Sequence, residues 1–142
     1  MLGNEGKIIV SSPNAPKAVG PYSQAVKIGN MIFCSGQIPL DPATGEVVGT
    51  DITAQTHRVL KNLQGLLDVT GSGLFQVVKT TVFLQNMEDF AAMNAVYSQY
   101  FTVDPPARST IQVARLPTDV LVEVEAIAVQ PQREIGPGAK SL

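Results

Sequence analysis

Hydrophobic and polar positions fall in blocks along the chain, and the period of each block predicts an element. Residues 7–11 (KIIVS) predict a short first strand. Pro13, Pro16, Gly20 and Pro21 then punctuate a loop. Residues 24–28 and 31–35 predict two strands around Gly29-Asn30, a dipeptide suited to a tight hairpin turn. A second loop follows at residues 39–45 (PLDPATG), dense in turn formers. Ile52, Val59, Leu60, Leu63, Leu66 and Leu67 trace one stripe of a 3.6-residue period. They predict a helix that Asp51 caps and that ends near Thr70, ahead of Gly71 and Gly73. Residues 76–84 are rich in Val, Thr and Phe and predict a strand. Asn86 is placed to cap a second helix, with Phe90, Met93, Tyr97, Tyr100 and Phe101 on its buried face. Residues 107–114 and 120–129 predict the last two strands, and the aperiodic residues 131–142 a flexible tail.

The predicted order is β-β-β-α-β-α-β-β, which assigns an α+β fold: one mixed sheet with two helices on one face. The chain is expected to form a single domain with its core over residues 8–129. No further helix is available for the second face of that sheet. Either that face is polar or another subunit covers it.

Composition narrows the picture. The chain has 142 residues, of which 44% are hydrophobic and 15% charged, enough for one buried core and too few for two. The formal net charge is −2 and no basic run exists, which weighs against nucleic acid as the main partner, since phosphate contacts call for a basic patch. Cys34 is the sole cysteine, so no intrachain disulfide and no cysteine-based metal framework can form. No apolar run approaches the ~20 residues of a membrane helix. The N-terminus lacks the basic and apolar regions of a secretory signal. The final Lys140-Ser141-Leu142 only permutes a peroxisomal signal. A cytoplasmic protein without membrane partners is the expectation.

Candidate chemistry concentrates at the end of the chain. In the last strand, Val120, Val122, Val124, Ala126 and Ala128 share one face, suited to packing on helices. Leu121, Glu123, Glu125, Ile127 and Val129 share the other. Two carboxylates on an otherwise apolar face either meet solvent or a polar interface, or have their pKa shifted by burial. The preceding strand carries Arg108, Thr110 and Gln112 on one face. The Leu116-Pro117-Thr118-Asp119 connection suggests an antiparallel hairpin. Pairing Gln112 opposite Glu123 then puts Arg108, Thr110 and both glutamates on one side. A one-residue slip sends the arginine to the other face. An Arg–Glu pair in a sheet serves as a structural ion pair or as a catalytic one, and pattern alone leaves both open.

Other positions read more plainly. His57 lies beside the apolar stripe of the first helix and is a structural histidine, since one histidine builds no multi-histidine metal site. Cys34 falls in an apolar strand and reads as a small buried hydrophobe. Gly36, in Ser35-Gly36-Gln37, either lets a ligand approach the backbone or simply makes a turn. Tyr22 sits in the Pro-rich loop, a weak functional hint. P-loop, GxGxxG, HExxH, GxSxG and CxxC motifs are absent. Arginine, glutamate, hydroxyls and water remain.

Several stretches then stand in a familiar order: residues 15–22 (APKAVGPY), 32–39 (IFCSGQIP), 78–82 (VKTTV), 106–109 (PARS), 113–117 (VARLP) and 122–128 (VEVEAIA). In these the sequence resembles the RidA/YjgF family. The resemblance implies a chorismate-mutase-like fold and a homotrimer whose three sheets form a barrel-like core, with active sites in the clefts between subunits. It implies that Arg108 binds the substrate carboxylate, and that Glu123 positions a water at an imine carbon. It also implies that Tyr22 lines the cleft, that Ser35 and Gly36 lie next to the ligand, and that Asn94 is a polar position near the site. Thr110 stands where many bacterial members have cysteine, so thiol-dependent chemistry loses its support. Its backbone N–H or hydroxyl remains able to contact the carboxylate.

The activity so implied is hydrolysis of reactive 2-imino acids, such as 2-iminobutanoate and 2-iminopropanoate, to 2-oxo acids and ammonia. No metal or organic cofactor is implied. Two other classes stay open: an endoribonuclease or translation inhibitor, a label the family has also carried, and a non-catalytic trimer that binds small carboxylates or acts like a chaperone.

Overall fold

A computed structural model describes residues 6–131. The expected flexible tail beyond residue 131 and the chain-end signal readings lie outside the described residues. Six strands and two helices follow in the predicted order: β1 (Ile8–Val10), β2 (Ala25–Ile28), β3 (Met31–Gln37), α1 (Ile52–Asp68), β4 (Val77–Leu84), α2 (Phe90–Tyr100), β5 (Ala107–Gln112) and β6 (Val122–Val129). They form one sheet in the spatial order β1-β2-β3-β6-β4-β5. Only β4 and β5 run parallel; every other neighbouring pair is antiparallel.

The hydrophobic stripe of α1 does what its period implies. Val59, Leu60, Leu63, Leu66 and Leu67 are fully buried, and each side chain removed from water in this way contributes about 1.5–3 kcal/mol. The Asp51 carboxylate caps the helix by accepting the Ala54 N–H at 2.8 Å. At Gly65 the helix meets the loop before β2: a Cβ there would collide with the Asn14 carbonyl, and the Ser12 hydroxyl donates to the Gly65 carbonyl at 2.9 Å. The second helix begins differently from expectation. Asn86 caps a 3-10 turn over Met87–Asp89, accepting from the Glu88 N–H, and α2 starts only after it. Met93, Val96 and Tyr97 are buried, Tyr100 is half-buried and Phe90 is exposed.

In β6 the alternation holds: Val122, Val124, Ala126 and Ala128 are buried against the helices, while Glu123, Ile127 and Val129 are half-buried and Glu125 exposed on the open face. The open face also presents Phe33 and Ile111, both exposed, and a half-buried Phe83.

β5 and β6 do not form the expected hairpin. β4 lies between the two strands, pairing parallel with β5 and antiparallel with β6. The connection out of β5 is too long for a tight turn, and it carries Thr118 and Asp119 in the left-handed region, at φ 52° and 57°. It crosses the end of β4, where the Val113 N–H donates to the Leu84 carbonyl and the Gln85 N–H to the Leu121 carbonyl. Through Phe83, Glu123 is level with Ile111 and not with Gln112. That one-residue difference decides the faces. Arg108 aligns with Thr80 and Ala126 on the helix side, while Glu123 and Glu125 stay on the open side.

Candidate active site

The expected site residues form two groups. The first surrounds Glu123. Its neighbour β3 pairs with β6 through Cys34↔Ala126 and Gln37↔Val124, so Ser35 and Gly36 fall in an irregularity of the ladder. Bulges of this kind bend a strand and re-aim its groups. Here the bulge brings the bare Gly36 backbone under the Glu123 carboxylate: a Cβ on Gly36 would collide with Oε2 and stand 2.8 Å from Cδ. Burial, reinforced by the like charge of Glu125, pushes the Glu123 carboxyl above the ordinary carboxylate range.

The bulge is anchored to the loop that carries Tyr22. The Ser35 hydroxyl donates to the Ser23 carbonyl at 2.6 Å and the Ser35 N–H to the Gln24 carbonyl at 2.9 Å. Gln24, a residue sequence reasoning passed over, is the latch of that loop. Its buried amide accepts from the Ser12 N–H and donates to the carbonyls of Ser12, Ala15 and Pro16. A glutamine at the start of a strand gives no sequence signal for this. Tyr22 itself is 53% exposed, and its hydroxyl accepts the Val19 N–H at 3.3 Å.

The second group surrounds Arg108, on the helix side of the edge strand β5. Nη1 donates to Asn94 Oδ1 at 2.7 Å. The guanidinium carbon lies 4.7 Å from the centre of the Tyr97 ring and 5.5 Å from that of Phe90. Contacts of this type contribute about 0.5–1 kcal/mol each at partly exposed sites. The Tyr97 hydroxyl meets Thr80 Oγ1 at 2.7 Å. Burial pushes the Tyr97 phenol up, against the opposing influences of Thr80 and Arg108. Thr110, two residues along the same face as Arg108, has a buried hydroxyl without a hydrogen-bond partner. Phe90 and Tyr97 were expected only as helix core; their signal was the i, i+4, i+7 spacing with Asn94.

The two groups do not meet within one chain. Arg108 and Glu123 lie on opposite sides of the sheet, two strands and three residues apart, about 14 Å between backbones at ~4.8 Å per strand and ~3.3 Å per residue. The anticipated Arg–Glu pairing is therefore not formed; among the described residues the one ion pair is Arg115–Asp119, on the surface at 2.8 Å. The open face carries a concavity of about 290 Å³ lined by Phe33, Lys79, Thr81, Glu125 and Ile127 among others, which includes neither Arg108 nor Glu123.

The remaining residues behave as read. His57 Nδ1 lies 2.7 Å from the Tyr100 hydroxyl, joining the two helices. Cys34 is buried, and desolvation pushes its thiol up to about 12, far from a nucleophile's range. Among the described residues no group of three His, Cys, Asp or Glu side chains is placed to hold a metal ion, and no helix is long and apolar enough to cross a membrane.

This architecture and sequence have named counterparts. The family model described as endoribonuclease L-PSP matches residues 12–130. A RutC family protein of Pyrococcus abyssi is 54% identical over 122 residues, covering 86% of this chain and 96% of that protein. The Escherichia coli protein named 2-iminobutanoate/2-iminopropanoate deaminase is 48% identical over 124 residues, covering 85% and 96%. The crystal structure of Escherichia coli TdcF with bound serine superposes with a TM-score of 0.83 at 43% identity, covering 87% of this chain and 99% of that one.

Proposed function

The chain belongs to the RidA/YjgF family, whose model is described as endoribonuclease L-PSP, and from that premise we propose that it hydrolyses 2-imino acids such as 2-iminobutanoate and 2-iminopropanoate to 2-oxo acids and ammonia. The observation that carries this reading is Arg108: a half-buried guanidinium held by neutral groups, with no carboxylate paired to it among the described residues. Burying a cation without a counter-ion is costly. Such a group is suited to an anion that arrives from outside, and its planar fork matches a carboxylate. The bound serine of the structural relative is also a small amino-bearing carboxylate.

In this reading the site is completed by a second copy of the chain. Arg108 and Glu123 of one chain face opposite ways, ~14 Å apart, farther than a three- or four-carbon acid spans. The open face, with Phe33, Phe83 and Ile111 around Glu123 and Glu125, is the surface a neighbouring copy would cover. A homotrimer built on this face sets Arg108 of one subunit against Glu123, Gly36, Ser35 and Tyr22 of the next. Each chain is then one domain, working in the cytoplasm without metal or organic cofactor.

The chemistry follows from these groups. Arg108 binds the substrate carboxylate, and the Thr110 hydroxyl or N–H supplies a further donor. Glu123 accepts a proton from water as the water oxygen bonds to the imine carbon, and the imine nitrogen takes up a proton, giving a carbinolamine. The C–N bond then breaks as the nitrogen takes the proton held by Glu123. The carbinolamine hydroxyl gives its proton to solvent as the C=O bond forms, returning the one the imine nitrogen drew from solvent, and ammonia leaves with the 2-oxo acid. A carboxyl lifted above its ordinary range is the better base for this cycle near neutral pH. Ionised 2-imino acids hydrolyse readily on their own, so a small lowering of the barrier suffices; each tenfold corresponds to about 1.4 kcal/mol.

The test couples a threonine dehydratase to this protein and follows trapping of the imine by semicarbazide. Wild-type protein lowers trapping and the Arg108→Ala variant does not. Equal trapping with and without wild-type protein overturns the proposal. Light scattering tests the assembly separately: a clean monomer leaves the site half built.

A further inference from the structure

Helix α2 sets Phe90, Asn94 and Tyr97 along one stripe, at offsets of four and seven residues. All three meet the same guanidinium. We propose that this stripe is an uncharged cradle, whose members act as positioning residues that hold Arg108 rigid before any ligand arrives, with the Nε/Nη2 edge as the carboxylate-binding edge. The inference deepens the reading above, on which it rests for the ligand's carboxylate alone. Arg108 rigidity is a property of the chain whichever reaction follows.

Three observations carry it. The first is the allocation of donors. Arginine has five N–H groups in a fixed fork. Asn94 Oδ1 takes one of them at Nη1, which orients the plane and leaves the side-on pair, Nε and Nη2, as the intact bidentate edge. The second is a closed circuit of contacts. The Tyr97 ring stacks near the guanidinium, its hydroxyl is tied to Thr80 Oγ1, and Thr80 stands level with Arg108 across the β4–β5 ladder. The ring cannot swing away without breaking that bond, and α2, β4 and β5 fix the arginine together. The third is charge. Phe, Asn, Tyr and Thr surround the cation, and burial keeps the Tyr97 phenol protonated. An aspartate at position 94 would give a near-identical hydrogen bond, yet it would neutralise the guanidinium and compete with the ligand. A neutral acceptor orients without competing. The cradle thus removes in advance the rotamer freedom that a long side chain otherwise loses on binding.

Two measurements test this on the whole protein. The first is calorimetric binding of 2-oxobutanoate. Asn94→Asp is expected to weaken it at least tenfold with an unchanged or raised Tm, because shape is conserved and only charge is added. Asn94→Ala and Phe90→Leu, which loosen the arginine without neutralising it, are expected to weaken it about three- to fivefold. The second is nitrogen-15 relaxation of the Arg108 Nε, assigned by loss of its signal in Arg108→Lys. It should be ordered in the ligand-free wild type, unlike exposed Arg115, and should gain mobility in Asn94→Ala and in Phe90→Leu. Wild-type affinity in Asn94→Asp, or an Arg108 Nε as mobile as that of Arg115, overturns the proposal, as does failure of the wild type to bind 2-oxobutanoate. A wild type that binds 2-oxobutanoate through an ordered Arg108 yet leaves imine trapping unchanged keeps the cradle and sinks only the deaminase reading.

Discussion

Arg108 and Glu123 are both half-buried charges with no counter-ion among the described residues, but their surroundings are built in opposite ways. The arginine is enclosed: two rings and an amide from α2 hold it in place, and a β4 hydroxyl ties one of those rings. The glutamate lies against the bare backbone of Gly36, with a second carboxylate two residues along. An enclosed cation recognises one shape of anion and holds it still. The half-buried carboxylate over its glycine floor has a proton affinity raised by burial first and by Glu125 second. In the proposed reaction, binding therefore falls to one side of the sheet and proton transfer to the other.

That division is easiest to break at Glu123. Glu123→Gln should reduce imine hydrolysis about 10²–10⁴-fold, the usual range for loss of a general base, while leaving calorimetric binding of 2-oxobutanoate within twofold of wild type. Loss of both together would show that the two sides do not divide the work. Gly36→Ala is the next largest. The added methyl must displace the Glu123 carboxylate, and misplacing a catalytic group by about 1 Å costs up to ~10²-fold. Since that carboxylate is the free end of a flexible side chain, Tm should change little; a large fall in Tm with intact activity would contradict the geometry.

Smaller effects sharpen the comparison from the arginine side. Thr110→Val removes a buried hydroxyl that has no partner, so it should stabilise the protein by about 1 kcal/mol in a denaturant titration and weaken 2-oxobutanoate binding severalfold. Tighter binding would exclude the hydroxyl as a ligand contact. The smallest expected change is electrostatic. Because Glu123 must be ionised to accept a proton and its carboxyl is pushed up, activity should fall as pH drops through a limb above the ordinary carboxylate range. Burial, the larger cause, stays in Glu125→Gln, whereas the like charge goes. The acid limb of kcat/KM should therefore move to lower pH; movement to higher pH would reverse the assigned sign.

Much of the fold was legible in the sequence because each element answers to its own local pattern. The α1 stripe from Ile52 to Leu67, the Asp51 cap and the alternation of β6 needed no knowledge of the rest of the chain. Partnership between strands is another matter. Nothing local to residues 107–129 reveals that β4, formed some 30 residues earlier, inserts between β5 and β6. A hairpin was the economical inference, and it misplaced the arginine by one register step, which is one face. The site residues were legible singly, through resemblance. Their grouping was not, because Phe90, Asn94 and Tyr97 look like any amphipathic helix until a strand delivers a cation to them. Gln24 illustrates the same limit: an amide that serves three carbonyls is recognised only by where the loop folds back.

The position of β6 has a consequence for how the chain acquires its structure. Among the described strands, the last to be synthesised is the one that joins β3 to β4. Until Val129 has emerged from the ribosome, β1–β3 and β4–β5 are separate sheets with open inner edges, and such edges are prone to pair with the wrong chain. The pairings that close the sheet span much of the sequence, as in Met31↔Val129, and long-range closure of this kind is slow. Closure of the sheet is thus expected only after β6 has been made. A chain cut short before residue 122 would lose the centre of its sheet and Glu123 in one stroke, leaving an aggregation-prone remnant with no partial activity.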